Sequence, residues 1–143
     1  MRIRLVMLGK TRPQAFRALL DEYVQRIRHY TELEVFELRD RSPAALRKVK
    51  FDSGTLAVLV DAAGQQFSSR RFAAWLGELR NRGTREIIFL CGDAQGFPNE
   101  LRARAQQKIS LSTLTMQHEL ARVVLVEQIY RALAILAGHP YAK

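Results

Sequence analysis

Two loops and one helix start carry the side chains best suited to bind and activate a small molecule. The stretch Leu111-Ser112-Thr113-Leu114-Thr115-Met116 holds no charge and mixes hydroxyls with apolar groups. Between a strand and an apolar helix, such a loop offers backbone N–H and C=O groups to a ring or base. Upstream, Gly92-Asp93-Ala94-Gln95-Gly96 follows an apolar run. Glycine there permits positive φ and close approach of backbone to a ligand. His118 opens the segment Glu119 to Gly138, where a helix dipole favours neutral imidazole and so a base. Glu127, Arg131, His139, Tyr141 and Arg122 are the other groups able to move a proton or steady an anion. Each also has a plain structural role. The Ser/Thr loop is an ordinary strand-to-helix connection with Thr115 or Gln117 near the helix start. Glu127 and Arg131, spaced i, i+4, can pair with each other.

The elements that must position these residues alternate in type. Ile3 to Leu8 reads as a strand ended by Gly9. A helix opened by Thr11 and Pro13 carries Phe16, Leu19, Leu20, Tyr23, Val24 and Ile27 at helical spacing. Leu33 to Leu38 alternates like a half-exposed edge strand. Ser42-Pro43 caps a short helix, and basic Arg47 to Gly54 reads as a mobile loop. Leu56 to Asp61, LAVLVD, is apolar throughout, the mark of a strand buried on both faces; Ala62-Ala63-Gly64 then turns the chain. Ser68 or Ser69 caps a helix that turns Phe72, Trp75, Leu76 and Leu79 inward and stops at Gly83. Glu86 to Leu90 is the next buried strand. Pro98 starts a helix through about Gln107, and Lys108 to Leu111 is the last strand. This alternation predicts one α/β domain over residues 1–143, a mostly parallel sheet with helices on both faces. Ligands of such sheets bind beyond the carboxyl ends of the strands, where the loops after Val60-Asp61, at Gly92 to Gly96 and at Leu111 to Met116 all lie. No Gly-Lys-Ser/Thr follows the glycine loop, and Gly9-Lys10-Thr11 lacks the later glycines of a dinucleotide fingerprint. A nucleoside triphosphatase and an NAD enzyme are thereby disfavoured.

Charge points to the partner. The net charge is +9, and it is uneven: residues 1–50 carry 12 Lys/Arg against 6 Asp/Glu, while residues 51–100 carry 5 against 6. Basic excess at the two ends of the chain suits a polyanion, bound through phosphate contacts and counterion release. No zinc-finger spacing is present, and no metal is expected. The single Cys91 cannot close an intrachain disulfide, which suits a reducing cytoplasm. Glu119 to Gly138 is long enough to span a membrane, but Arg122, Glu127, Gln128 and Arg131 interrupt it, so no membrane span is expected.

The tail from Ser110 to Lys143 resembles the C-terminal signature of the bacterial ribosomal large-subunit methyltransferase H family, one of the SPOUT class of knotted RNA methyltransferases. Leu111-Ser112 with Leu114-Thr115, His118, Arg122-Val123, Glu127-Gln128, Tyr130-Arg131-Ala132 and Gly138 with Pro140-Tyr141 carry the resemblance. It continues at lower density over the whole chain. It implies a SPOUT-like fold with a C-terminal trefoil knot, S-adenosylmethionine as cofactor, and methyl transfer to N3 of pseudouridine 1915 of 23S rRNA, in the assembled ribosome. By the same resemblance the cofactor is bound by Val60, Gly92, Gly96, Leu111, Ser112, Thr113, Leu114, Thr115 and Met116. His118, Arg122 and Tyr141 are then the catalytic residues, and Arg131, Tyr141 and Lys143 the RNA-binding ones.

Two departures stand out. The familiar Gly-Gly-Pro-Glu-Gly loop reads Gly-Asp-Ala-Gln-Gly here, and Pro-Tyr-His reads Pro140-Tyr141-Ala142. Asp93 tolerates unusual backbone angles, which would preserve the turn. Ala142 moves no proton, which leaves the base role to His118. A helix apolar almost all round must be covered on every side, so a homodimer buried along Val123, Val126 and Tyr130 is expected, in agreement with the resemblance. The alternatives are a basic ribosome- or RNA-binding factor that keeps the fold without catalysis, and a small nucleotide-binding α/β domain.

Overall fold

The apolar runs pair into a single parallel sheet in a computed structural model, which describes residues 1–141. Ala142 and Lys143, including the RNA contact expected of Lys143, lie outside the described residues. The strands are β1 (Arg2–Leu8), β2 (Leu33–Leu38), β3 (Thr55–Gln66), β4 (Glu86–Cys91) and β5 (Gln107–Ser110). Between and after them lie α1 (Gln14–Arg28), α2 (Pro43–Leu46), α3 (Ser69–Asn81), α4 (Asn99–Arg104) and α5 (His118–Leu136). The strand order is β2-β1-β4-β3-β5, and each neighbouring pair is parallel.

A parallel sheet needs a crossover after every strand, and right-handed crossovers decide which face each helix covers. The steps β1 to β2 and β3 to β4 run one way along the sheet, so α1 and α3 share a face. The steps β2 to β3 and β4 to β5 run the other way, which puts α2 and α4 opposite. On the first face Leu20, Val24 and Ile27 of α1, Phe72 and Leu76 of α3, and Val123, Val126 and Ile129 of α5 form one core with Leu5, Val58 and Phe89. On the second, Leu46, Val49, Phe97 and Leu101 cover Val6, Leu59, Ile88 and Leu90. Both sides of the central strands are thus sealed, and all six residues of β4 are buried. Each large aliphatic or aromatic side chain removed from water in this way contributes about 1.5–3 kcal/mol.

Local rules account for the helix ends. Ser42 Oγ accepts the Ala45 N–H with Pro43 just inside α2, and Ser68, not Ser69, caps α3 through the Arg71 N–H. Gly83, at φ +83°, follows the last turn of α3, in a conformation that glycine adopts without strain.

Four expectations need correction. Ala62-Ala63-Gly64 does not end the strand. β3 runs on to Gln66, with its register to β5 shifted so that both Val60 and Gln65 align with Ile109. Gly64 is required there because a Cβ would lie 2.6 Å from the Ile109 backbone. The helix after Pro98 stops at Arg104, and Ala105 is already extended, leading into β5 at Gln107. The basic segment after α2 is pinned rather than loose. Arg4 Nη2 donates to the Lys50 carbonyl at 2.6 Å, Arg104 Nη2 donates to that of Val49 at 3.1 Å, and Val49 is buried. Finally, α5 is largely covered within one chain, since it lies between α1 and α3 against the sheet, with Tyr130 half-buried and Leu120 exposed. Val123 and Val126 are buried there, so they offer no surface to a second copy. Among the described residues, no helix is long and apolar enough to cross a membrane.

Candidate active site

All five strands point the same way, so their carboxyl ends gather the following loops at one edge. There β3, β4 and β5 open into a cavity of about 350 Å³. Val60, Asp61 and Ala62 line it from β3, and Cys91 with Gly92, Asp93, Ala94, Gly96 and Phe97 from the end of β4 onward. Arg102 of α4, the loop residues Leu111, Ser112, Leu114, Thr115 and Met116, and His118 and Ala121 of α5 complete the wall. Of the residues expected around the cofactor, Thr113 alone stands outside this lining.

The loop after β5 is folded by its own hydroxyls. Ser110 Oγ donates to the Ser112 carbonyl at 3.0 Å, and Ser112 Oγ accepts the Leu114 N–H at 3.0 Å. Leu114 is left 78% exposed at the cavity rim. Gln117, not Thr115, caps α5: its Oε1 accepts the Leu120 N–H at 2.7 Å. His118 is therefore the first helical residue, its ring half-buried in the wall, with Nε2 3.9 Å from Glu119 Oε1. Glu119 also accepts the Arg12 backbone N–H and a bond from Gln117 Nε2. The Arg12 bond chiefly holds its carboxyl below the usual range, against the opposing effect of burial.

The glycine loop is tighter than a ligand-facing turn needs to be. A Cβ on Gly92 would come within 2.9 Å of the Gly96 carbonyl oxygen, so the loop's own backbone demands glycine there. Gly96 has φ +82°, while Asp93 does not use positive φ: among the described residues only glycines do. Asp93 serves through its side chain instead. Its Oδ1 accepts the Gln95 N–H at 2.9 Å and Arg41 Nη1 at 2.6 Å. Burial raises the Asp93 pKa, but the bonds from Arg41 and Gln95 and the nearby positive charge outweigh that and hold it below the ordinary value. Cys91, behind the loop, is pushed up to about 12 by burial, despite the nearby Arg122 charge. It stays a thiol at neutral pH and makes a poor nucleophile.

The expected catalytic residues are divided. His118 faces the cavity. Arg122 does not: it is 0% exposed, and its guanidinium donates to the carbonyls of Leu8 and Gly9 and to Thr11 Oγ1. It ties α5 to the loop after β1, and burial pushes its pKa down. Arg131 and Tyr141 sit toward the other end of α5. Arg131 Nη2 donates to Glu127 Oε1 at 2.6 Å, and Tyr141 Oη donates to the same oxygen at 3.1 Å. Asp61, Arg102 and Phe97 are cavity residues that the sequence reading did not single out. Asp61 had a usable signal, an acid ending an otherwise apolar buried strand. Arg102 had none, because its place depends on how α4 packs.

A family model described as "Predicted SPOUT methyltransferase" matches residues 1–142. The chain belongs to the SPOUT methyltransferase family. Its relatives include proteins named "Ribosomal RNA large subunit methyltransferase H". That of Gloeobacter violaceus is 43% identical over 151 residues, covering 99% of this chain and 98% of the relative. That of Koribacter versatilis is 41% identical, with 99% and 97% covered. That of Geobacter metallireducens is 38% identical, with 99% and 98% covered. The family implies a methyl donor, generally S-adenosylmethionine, and the chemistry of the cavity lining fits one. Val60, Leu111, Leu114 and Met116 would give apolar cover for an adenine, Asp61 and Asp93 would favour a nearby cation, and Arg102, 3.7 Å from Asp61, would suit a carboxylate.

Proposed function

We propose that this SPOUT methyltransferase transfers a methyl group from S-adenosylmethionine to N3 of a pseudouridine, position 1915 of 23S rRNA, in the assembled ribosome. The observation that carries the reading is the convergence of the loops after β4 and β5, with the irregular middle of β3, on one cavity with His118 in its wall. The named function of the relatives supports the RNA substrate. The bound cofactor supplies an already activated methyl group. What remains for the protein is alignment and deprotonation of the acceptor. The apolar residues and backbone of the two loops hold and orient. His118, on the cavity wall, takes the imide proton. Cys91 stays protonated and so does not compete for the methyl group.

A homodimer in the cytoplasm completes the proposal. His118 and Arg131 lie about 20 Å apart along α5, at 1.5 Å per residue. Within one chain Arg131 and Tyr141 therefore do not meet the cavity, and a second copy's C-terminal end would bring them there. Leu114 and Leu120 are exposed apolar side chains at the cavity end of α5 and offer a surface for that copy. The C-terminal trefoil knot of the class belongs to the same proposal.

The non-catalytic reading draws on Asp93, Gln95 and Ala142, where the family pattern is broken. The intact turn around Asp93 weakens it. Methyl transfer to ribosomes lacking the modification decides between the two. Wild type should be active, His118→Ala should lose on the order of a hundredfold, and Ala142→His should change the rate by less than about tenfold. An inert wild type rescued by Ala142→His would reverse the assignment of the base and favour the non-catalytic reading.

A further inference from the structure

We infer that Arg41 is a positioning residue for the cofactor loop, bracing Gly92 to Gly96 from outside the cavity through Asp93 and the Gly96 carbonyl. The inference rests on the cavity being the cofactor site, but the brace itself does not. Arg41 is not a cavity residue. It stands between β2 and α2, 52 positions before Asp93, and its Nη1 donates to Asp93 Oδ1 at 2.6 Å and to the Gly96 carbonyl at 3.2 Å.

The base from which Arg41 reaches is itself fixed. The Ser42 N–H donates to Asp40 Oδ1 at 2.8 Å, and Ser42 Oγ accepts the Ala45 N–H at 3.1 Å. Both neighbours of Arg41 are therefore tied down. The two acceptors it reaches are the two ends of the turn. Asp93 Oδ1 also takes the Gln95 N–H, and the Gly96 N–H returns to the Asp93 carbonyl at 3.0 Å. The Gly96 carbonyl that Arg41 grips is the same group that leaves no room for a side chain on Gly92. One guanidinium thus holds the turn's start and finish together, at the point where the loop packs most tightly on itself. A charge-assisted bond of this length is among the stronger single contacts a side chain makes.

This arrangement gives Asp93 a purpose. Where a glycine would leave the turn free, the carboxylate closes it locally and offers Arg41 a grip. The brace and the departure from the Gly-Gly pattern therefore form one device.

Calorimetry with S-adenosylmethionine and with S-adenosylhomocysteine, on wild type, Arg41→Ala, Arg41→Lys, Asp93→Asn and the double variant Arg41→Ala/Asp93→Asn, tests it. Arg41→Ala should weaken both ligands by about tenfold, a loss of ~1.4 kcal/mol. Because the second ligand lacks the sulfonium charge, an equal loss on both reports loop shape rather than a changed field. Arg41→Lys should recover some of the loss. The double variant should lose less than the product of the two single losses, by at least about threefold. In turnover, the cofactor KM should rise and the RNA KM should not. Amide exchange read without any ligand should show faster exchange at Gln95 and Gly96 in Arg41→Ala. An RNA KM that rises alone would make Arg41 an RNA contact and overturn the inference. So would additive losses, or exchange equal to wild type. A wild type that binds neither ligand removes the cavity reading, while the exchange measurement still decides the brace.

Discussion

At the start of α5, His118 and Ala121 face an open cavity, in whose wall Arg102 lies 3.7 Å from Asp61 and Asp93 is gripped by Arg41 from outside. At its far end the polar groups are largely spoken for. Glu127 Oε1 accepts from both Arg131 and Tyr141, the hydroxyls of Tyr23 and Tyr141 lie 3.0 Å apart, and Tyr30 Oη meets His139 Nδ1 at 2.5 Å. Tyr130 packs edge-on to Tyr141 at 4.6 Å, and Arg26 lies over Tyr23 and Tyr130. The contrast separates two jobs that the sequence places in one run. An end whose polar groups line an open volume has room to receive a ligand. An end whose polar groups are paired with one another holds an aromatic surface still.

The harshest way to break this comparison is to break the rod that joins the two ends. Val126 is fully buried against the sheet within one chain, so Val126→Asp strands an unpaired charge in the core. It should cost on the order of 3 kcal/mol or more and unfold the chain, rather than merely separate a pair of subunits. Denaturant titration should find both ends lost in one transition. A folded, stable monomer would show that α5 is covered by a partner after all.

Next in size is Gly92→Val, which touches only the cavity end. With 2.9 Å between a Cβ and the Gly96 oxygen, the loop must deform. Cofactor affinity should fall by about a hundredfold or more, while the tyrosine contacts survive, as tyrosine fluorescence would report. Tyr141→Ala is the mirror experiment and the smaller one. Methyl transfer to ribosomes should drop by about tenfold, with cofactor affinity unchanged. Loss of cofactor binding in Tyr141→Ala would erase the division of labour.

pH sharpens the comparison most gently. The carboxyls of Asp93 and Glu119 are held below their ordinary values, so their contribution is present above the unfolded carboxyl pKa and is lost as pH falls through the folded one. Tyr141 shifts the other way. Burial first, then its bonds to Tyr23 and Glu127, push the phenol up. Its contribution is complete below the ordinary phenol pKa and is lost as pH rises beyond it. Acid should therefore loosen the cavity end and strong alkali the tyrosine end. Tyr141→Phe should flatten the alkaline fall in stability and leave the acid side as it was.

Elements built from one kind of residue could be read in advance. LAVLVD and EIIFL are buried parallel strands because both faces of the sheet are covered, and α5 is apolar nearly all round for the same reason. The two cavity loops after β4 and β5 followed from strand direction once the sheet was parallel. What escaped notice depends on residues far apart in the chain. Asp61 to Gln66 has the composition of a turn, yet β5 keeps β3 extended across it. Arg47 to Gly54 has no pattern, yet Arg4 and Arg104 hold it by its carbonyls. Where Arg122 points could not be read, because a buried guanidinium and a cavity-facing one have the same letter. Its bonds to the carbonyls of Leu8 and Gly9, more than a hundred positions away, show it to be buried away from the cavity.

The place of β5 in the sheet has a consequence for the making of the protein. It pairs with β3, and with the loop and helix behind it belongs to the last third of the chain. A chain emerging from synthesis folds from its beginning. It can align β1, β2, β3 and β4, yet it has neither the far wall of the cavity nor the helix that seals α1 and α3 onto the sheet. Its last residues to be made complete the core and the cavity together. An unfinished or C-terminally clipped chain then lacks the cavity altogether, with the apolar faces of two helices open to capture by a protease or chaperone.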